Sequence, residues 1–160
     1  MANALATAAL LDSKTMLMAK TGTGQQAALY RELTEKGGVR LHAGTGKNAQ
    51  GTCLVLITPD GERTFATHLG ASTEIDQEDV DLATITQSTY LILEGYQLDN
   101  NPEMIADTVK KAKEAGVKIA LDVSDSFLIQ RHRQALQELG EEADIIFLNE
   151  DECEAYTGKN

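Results

Sequence analysis

Short apolar runs alternate along this chain with segments in which apolar residues recur every three or four positions. The runs are typical of buried strands, and the longer period is typical of amphipathic helices. The predicted strands are Thr15 to Ala19, Tyr90 to Glu94, Lys118 to Asp122 and Asp144 to Asn149. The predicted helices cover residues 3–11, 25–36, 77–86, 103–115 and 127–140. This alternation predicts an α/β fold, with βαβ units around a mainly parallel sheet.

The clearest helix boundaries are predicted around residues 103–115. Pro102 suits the first helical turn, and Glu103 suits the positive end of the helix dipole. Gly116 can adopt the left-handed conformation that commonly ends a helix.

One segment interrupts the α/β pattern. Two β-rich runs, Gly51 to Thr58 and Arg63 to Leu69, flank a Pro-Asp-Gly turn. They predict an antiparallel hairpin that projects from the parallel sheet as a lid, at about residues 51–69. Because no internal repeat or low-complexity linker is present, we expect one domain over residues 1–160.

Composition narrows the classes of partner. The 160 residues are 42% hydrophobic, which is enough for a real core. With 14 basic and 25 acidic residues, the net charge of -11 should repel nucleic acid and anionic membranes, so small molecules or proteins are better partners. The two distant cysteines, Cys53 and Cys153, and the lack of a signal-peptide pattern predict a reduced, cytoplasmic protein. No apolar run is long enough to span a membrane.

Two glycine-rich motifs suggest phosphate binding. Gly22 to Ala27 has the G-x-G-x-x-A form of a dinucleotide fingerprint, which leaves an NAD(P)-binding Rossmann domain as an alternative. No acidic residue follows where one would hold a ribose hydroxyl, so a strand-to-helix turn is the preferred interpretation. The segment Ala43 to Asn48 lacks the first glycine of a P-loop and its Ser or Thr, and we reject it as such a loop.

The acidic segment after Ile145 to Leu148 contains an N-x-x-E pattern, formed by Asn149 and Glu152. It could be an ordinary solvated first turn of a helix, where negative charge is favourable. However, it follows a predicted strand at the edge where α/β sheets place ligands. There a carboxylate suits Mg²⁺ and an amide suits water or phosphate. The three histidines show no metal-ligand spacing.

Six motifs in this order and spacing resemble the PfkB (ribokinase-like) carbohydrate and nucleoside kinases, in particular the adenosine-kinase-like branch. The resemblance covers essentially the whole chain. The motifs are Gly51-Thr52-Cys53, Gly61-Glu62-Arg63-Thr64, Leu69-Gly70-Ala71-Ser72, Leu93-Glu94-Gly95-Tyr96, Leu121-Asp122-Val123-Ser124-Asp125 and Asn149-Glu150-Asp151-Glu152 through Gly158. The resemblance implies a partial ribokinase-like (Rossmann-like) α/β fold with a hairpin lid.

The resemblance also implies roles for individual residues. Asn149 and Glu152 would act on Mg²⁺ and phosphate, while Cys53 and Arg63 would line the lid over the acceptor. Asn3 would help to hold sugar hydroxyls. In the family, ATP phosphorylates a hydroxyl group, with an Asp as base and a glycine-rich anion hole.

The family's Gly-Ala-Gly-Asp segment does not occur in this sequence, so no catalytic base can be assigned. The resemblance places the family's first strand, with its sugar-binding Asp, before Met1. We therefore expect no phosphotransfer by this chain alone. Alternatives are a kinase completed by another chain and a non-catalytic sugar- or nucleoside-binding module.

Loss of the first strand would leave unpaired strand edges, which predicts a homo-oligomer, most simply a dimer.

Overall fold

The computed structural model describes residues 1–158 and divides the chain into two compact units. The first is Met1–Val80, and the second begins at Asp81. The expectation of a single domain is not decided by this division and stays a prediction.

The first unit is built on two parallel strands. Helix α1 (Ala2–Leu10) precedes β1 (Met16–Thr21), and helix α2 (Gln25–Lys36) leads to β2 (Arg40–Thr45). The buried side chains Leu5, Leu17 and Val39 form its core, with partly buried apolar side chains packed around them. The helices predicted at 3–11 and 25–36 and the strand predicted near Thr15 are confirmed.

Strand β2 was not predicted. Its sequence, Arg-Leu-His-Ala-Gly-Thr, has few strongly apolar positions, and four of its six residues are only half-buried. It exists because β1 pairs with it along its whole length, from Met16 opposite Arg40 to Thr21 opposite Thr45. Pairing between strands is a tertiary effect that local pattern does not reveal.

The predicted hairpin is present. Strand β3 (Thr52–Ile57) pairs antiparallel with β4 (Arg63–His68), and all residues of both strands are exposed. The turn between them is closed by Thr58 N–H donating to Glu62 O and Gly61 N–H donating to Thr58 O. Two short 3₁₀ helices, Gly70–Glu74 and Gln77–Asp79, follow.

The second unit contains a three-stranded parallel sheet in the order β5-β6-β7. Its strands are β5 (Tyr90–Glu94), β6 (Lys118–Asp122) and β7 (Ile145–Phe147). Its helices are α3 (Leu82–Ile85), α4 (Pro102–Glu114), α5 (Ser126–Arg131), α6 (Arg133–Glu142) and α7 (Glu150–Thr157), with a 3₁₀ helix at Gly95–Asp99. The mixed α/β class with a mainly parallel sheet is therefore confirmed.

The boundary chemistry predicted for α4 is also confirmed. Asn101 accepts a hydrogen bond from Met104 N–H, Pro102 occupies the first turn, and Gly116 has a φ of 80°. The apolar face of α4 supplies Ile105 and Val109 to the core, where Ile119 and Leu121 of β6 are almost fully buried.

Two predicted helices were wrong as single helices. The segment 77–86 is divided because Val80 is extended, and Asp76 and Asp81 each cap a separate short helix. The segment 127–140 is divided at His132, which has φ -122° and ψ 32°. Within residues 1–158, no helix combines the length and apolar character needed to cross a membrane.

Candidate functional site

The segments that follow β5, β6 and β7 carry the polar and aromatic residues of the second unit. In a parallel sheet these segments lie at one edge, the carboxyl edge, where α/β proteins commonly bind ligands. We call the residues after these three strands the carboxyl-edge cluster: Tyr96, Asp99, Asp125, Phe127, Asn149 and Glu152.

Gly95 allows the first of these segments to pass close to the second. A Cβ atom at Gly95 would lie 2.3 Å from the carbonyl oxygen of Val123, which is too close for any side chain. The glycine therefore brings Tyr96, the next residue, against the end of β6.

Local hydrogen bonds fix the second segment. Asp122 Oδ1 accepts from Ser124 N–H, and Ser124 takes a φ of 75°, which is uncommon for a residue with a side chain. Asp125 then caps α5 by accepting from the Phe127 N–H at 3.2 Å. These contacts determine where α5, the helix that carries Phe127, begins.

Tyr96 and Phe127 form an edge-to-face pair. Their ring centroids are 6.0 Å apart, the rings are inclined at 62°, and about 40% of each residue is exposed. Burial raises the pKa of the Tyr96 phenol, and the negative charges of Asp125, Asp99, Glu152 and Glu94 raise it further. The pair thus presents apolar ring surface within an acidic surrounding.

Asn149 and Glu152 form a reciprocal capping box at the start of α7. Asn149 Oδ1 accepts from Glu152 N–H at 2.8 Å, while the Asn149 backbone N–H donates to Glu152 Oε2 at 3.2 Å and Asn149 Nδ2 donates to Oε1 at 2.7 Å. Glu152 is only 7% exposed. The predicted helix N-terminus is confirmed, but its glutamate is buried and paired rather than solvated.

In this arrangement Asn149 and Glu152 do not fit a metal ion. Both carboxylate oxygens of Glu152 already accept hydrogen bonds from Asn149. Among the described residues no group of three or more His, Cys, Asp or Glu side chains could hold a metal. The expected role of the pair toward Mg²⁺ or phosphate stays a prediction.

The hairpin places Cys53 and Arg63 on one face. Cys53 lies opposite Thr67 and Arg63 lies opposite Ile57, so the two predicted residues are at opposite ends of the same face. Cys53 Sγ is 3.3 Å from Thr67 Oγ1 and borders an open pocket of about 260 Å³, whose lining includes His68 and Ser72. Their lid role stays a prediction.

Asn3, the remaining predicted substrate residue, is exposed on α1. Its backbone carbonyl accepts a hydrogen bond from Thr7 Oγ1 at 3.0 Å. Its predicted contact with sugar hydroxyls also stays a prediction.

In the glycine-rich turn after β1, the N–H group of Gly22 is used by a hydrogen bond within the protein. Gly22 N–H donates to Gln50 Oε1 at 3.0 Å, and a Cβ at Gly22 would lie 2.2 Å from Gln50 N. Residues 48–50 therefore fill the space that a pyrophosphate would need. This supports the strand-to-helix turn over the NAD(P) alternative.

Backbone N–H groups of the segment from Ala43 to Asn48, which we reject as a phosphate loop, or P-loop, are also used by hydrogen bonds within the protein. The N–H groups of Lys47 and Asn48 donate to the Glu74 carboxylate at 2.8 Å and 2.7 Å. These bonds lower the pKa of Glu74. Glu74, the last residue of the 3₁₀ helix after β4, thus links that helix to the segment before β3.

Tyr96 and Phe127 were not predicted as site residues from the sequence. The available signal was an aromatic residue close after each of two predicted strands, Leu93-Glu94-Gly95-Tyr96 and Leu121 through Phe127. Their contact depends on how two loops meet across neighbouring strands.

Comparison with known proteins extends these observations. The chain matches the pfkB family carbohydrate kinases over residues 1–160. It is 31% identical over 116 residues to guanosine-inosine kinase of Escherichia coli strain K12, a match covering 69% of this chain and 27% of that protein.

Two solved structures resemble the chain closely. Adenosine kinase from Sinorhizobium meliloti has a TM-score of 0.91 and 28% identity, and a probable sugar kinase from Rhizobium etli CFN 42 has a TM-score of 0.91 and 26% identity. Each match covers 99% of this chain and 50% of the other, so the chain spans about half the length of these structures. With its ribokinase-like α/β fold and a match along its full sequence, this chain belongs to the pfkB family of carbohydrate kinases.

Proposed function

We propose that this chain is the acceptor-binding part of a PfkB-family nucleoside or sugar kinase of the adenosine-kinase-like branch. In the full-length reaction ATP, with Mg²⁺, would phosphorylate a hydroxyl of the acceptor. We place no metal on Asn149 and Glu152 in this conformation, because both carboxylate oxygens of Glu152 accept hydrogen bonds from Asn149.

One observation carries the nucleoside proposal: the exposed Tyr96–Phe127 pair lies at the carboxyl edge of a parallel sheet. Every nucleobase has a π-face, and stacking on an aromatic side chain contributes about 1–3 kcal/mol per base. The relatives named guanosine-inosine kinase and adenosine kinase agree with a purine nucleoside as the acceptor.

The test is calorimetric titration of the chain with adenosine, guanosine and ribose. Phe127→Ala should weaken nucleoside binding about 5- to 150-fold, the equivalent of one lost stacking contact. Leu29→Ala, which truncates an exposed side chain on α2, is the matched control and should leave binding unchanged. Nucleoside binding that is equally tight in Phe127→Ala, or binding of ribose alone, would contradict the nucleoside proposal.

We also propose that the chain alone does not transfer phosphate, because its sequence contains no Gly-Ala-Gly-Asp segment to supply the base and anion hole. Loss of groups that act together removes many powers of ten in rate. A coupled ADP-release assay with ATP and adenosine should therefore give no signal above a no-acceptor control. Acceptor-dependent ADP formation by protein free of host kinases would refute this.

Two further properties belong to the proposal. Both cysteines are free and exposed, which fits a reducing cytoplasm.

Among the described strands β1 pairs only with β2 and β5 only with β6, so each has an edge open to another strand. Such edges favour pairing with a second copy, and light scattering at micromolar concentration should report a dimer. A monodisperse monomer would contradict it.

A further inference from the structure

We propose that Asp99, Arg131 and His132 act as a positioning trio that sets the geometry of the Tyr96–Phe127 pair and thereby tunes its affinity for a nucleobase. The affinity part of this inference rests on the proposed function. The positioning part stands on contacts within the second unit alone.

The trio is centred on the Asp99 carboxylate. Arg131 Nη1 donates to both Asp99 oxygens at 2.9 Å, and His132 Nε2 lies 2.6 Å from Asp99 Oδ1. The contact with His132 lowers the pKa of Asp99, and so does the contact with Arg131, so the carboxylate is charged at neutral pH. One acidic group thus holds two residues at the junction of α5 and α6.

A side-chain contact links this trio to the Phe127 ring, and the backbone links it to Tyr96. The Arg131 guanidinium carbon is 5.3 Å from the Phe127 ring centroid, in cation–π range, and the two residues are one helical turn apart on α5. Tyr96 belongs to the same 3₁₀ helix as Asp99. The contacts therefore close a ring, from Tyr96 to Phe127, to Arg131, to Asp99 and back along the chain to Tyr96.

The exposure of the trio's side chains distinguishes a positioning role from a purely stabilising one. The Arg131 side chain is 56% exposed, and Asp99 and His132 are about 20% exposed. An ion pair with a partner as exposed as Arg131 contributes little to stability, whereas Leu128 and Ile129, on the other face of α5, are almost fully buried and anchor the helix. Removing the Asp99 charge should therefore leave the fold intact while releasing Arg131 from its place over Phe127.

The experiment compares Asp99→Asn with the wild-type chain by two measurements. The first is the ring resonances of Tyr96 and Phe127 in aromatic carbon–proton spectra, which are simple because the chain has only four tyrosines and three phenylalanines. The second is adenosine affinity by calorimetry. We expect both ring resonances to shift and the Kd to rise about two- to fivefold, the equivalent of one exposed cation–π contact.

Controls separate positioning from general perturbation. Asp107→Asn removes an ion pair away from the two rings, with Lys111 on α4, and should change neither measurement. Asp99→Glu keeps the carboxylate and should partly restore both. Arg131→Gln is a second variant that removes the partner over Phe127, and it should reproduce the effects of Asp99→Asn.

Ring resonances that stay at their wild-type positions in both Asp99→Asn and Arg131→Gln would overturn the inference. So would shifted rings with unchanged adenosine affinity. If the wild-type chain binds no nucleoside, the proposed function fails, while shifted rings in the two variants would still support the positioning role. A fall in the urea midpoint of Asp99→Asn as large as that of a buried-core variant would show a structural role and also overturn the inference.

Discussion

Gly95→Ala offers a sharp test of the carboxyl-edge geometry. The added Cβ would lie 2.3 Å from Val123 O, 3.2 Å from Val123 C and 3.3 Å from Leu128 Cδ1. An ordinary C···O contact is roughly 3.3 Å, so the overlap with the carbonyl oxygen is about 1 Å. The obstacle is backbone, and it is held in place because Val123 N–H donates to Phe147 O of β7.

The cost follows from that overlap. Overpacking a tight site typically destabilises by about 1–3 kcal/mol, and a backbone obstacle that cannot rotate away places Gly95→Ala near about 2–3 kcal/mol. With a urea m-value of about 2 kcal/mol per molar, the unfolding midpoint should fall by about 1 M. Adenosine affinity should fall too, because relief of the clash moves Tyr96 away from Phe127.

Gly37→Ala is the matched control. Gly37 has a φ of -72°, and an added Cβ would have its nearest neighbours at 3.3 Å. Alanine lowers the entropy of the unfolded chain, so the net change should lie within about 1 kcal/mol of zero. Urea unfolding followed by circular dichroism measures both variants. Equal midpoints for Gly95→Ala and the wild type would refute the close approach of Gly95 to Val123.

Three other outcomes are expected. Leu128→Ala, at a fully buried position, should lower the free energy of unfolding by about 2–5 kcal/mol in urea titrations, and a loss below about 1 kcal/mol would contradict its burial. Asn149→Ala should cost about 1–2 kcal/mol in the same assay, because it removes the cap of α7 and the side-chain partner of buried Glu152, and a neutral result would contradict the capping box. Glu74→Gln should remove a contribution to the free energy of unfolding that depends on pH in the acidic range. Because the folded-state pKa of Glu74 lies below the ordinary 4.5, its carboxylate stabilises the fold above about pH 4.5, and this is lost as the pH falls through the lowered pKa. After correction for intrinsic exchange, amide exchange at residues 47 and 48 should therefore rise on acidification in the wild type and be nearly independent of pH in Glu74→Gln. The same pH dependence in both proteins would refute the stabilising role of the Glu74 carboxylate.

Local chemistry explains which elements were predictable. The limits of α4 depend on Asn101, Pro102 and Gly116, which act within a turn of their own positions. The hairpin similarly depends on a Pro-Asp-Gly turn between two β-rich runs. Such signals can be read from neighbouring residues alone.

The features that were missed depend on distant partners. The break at His132 coincides with its contact to Asp99, which belongs to the 3₁₀ helix after β5. The Tyr96–Phe127 pair likewise forms only once β5 and β6 lie side by side. Asn149 and Glu152 were predicted as a pair from their N-x-x-E spacing, but their mutual hydrogen bonds and the burial of Glu152 depend on how α7 packs and could not be read from the sequence.

The full exposure of β3 and β4 has a consequence for how such a protein diverges. Because no side chain of the hairpin belongs to a buried core, most single substitutions there should change stability by less than about 0.5 kcal/mol. Mutations can therefore accumulate on its two faces with almost no folding penalty. A change of surface chemistry that begins in this hairpin would not have to wait for compensating mutations in the parallel sheets.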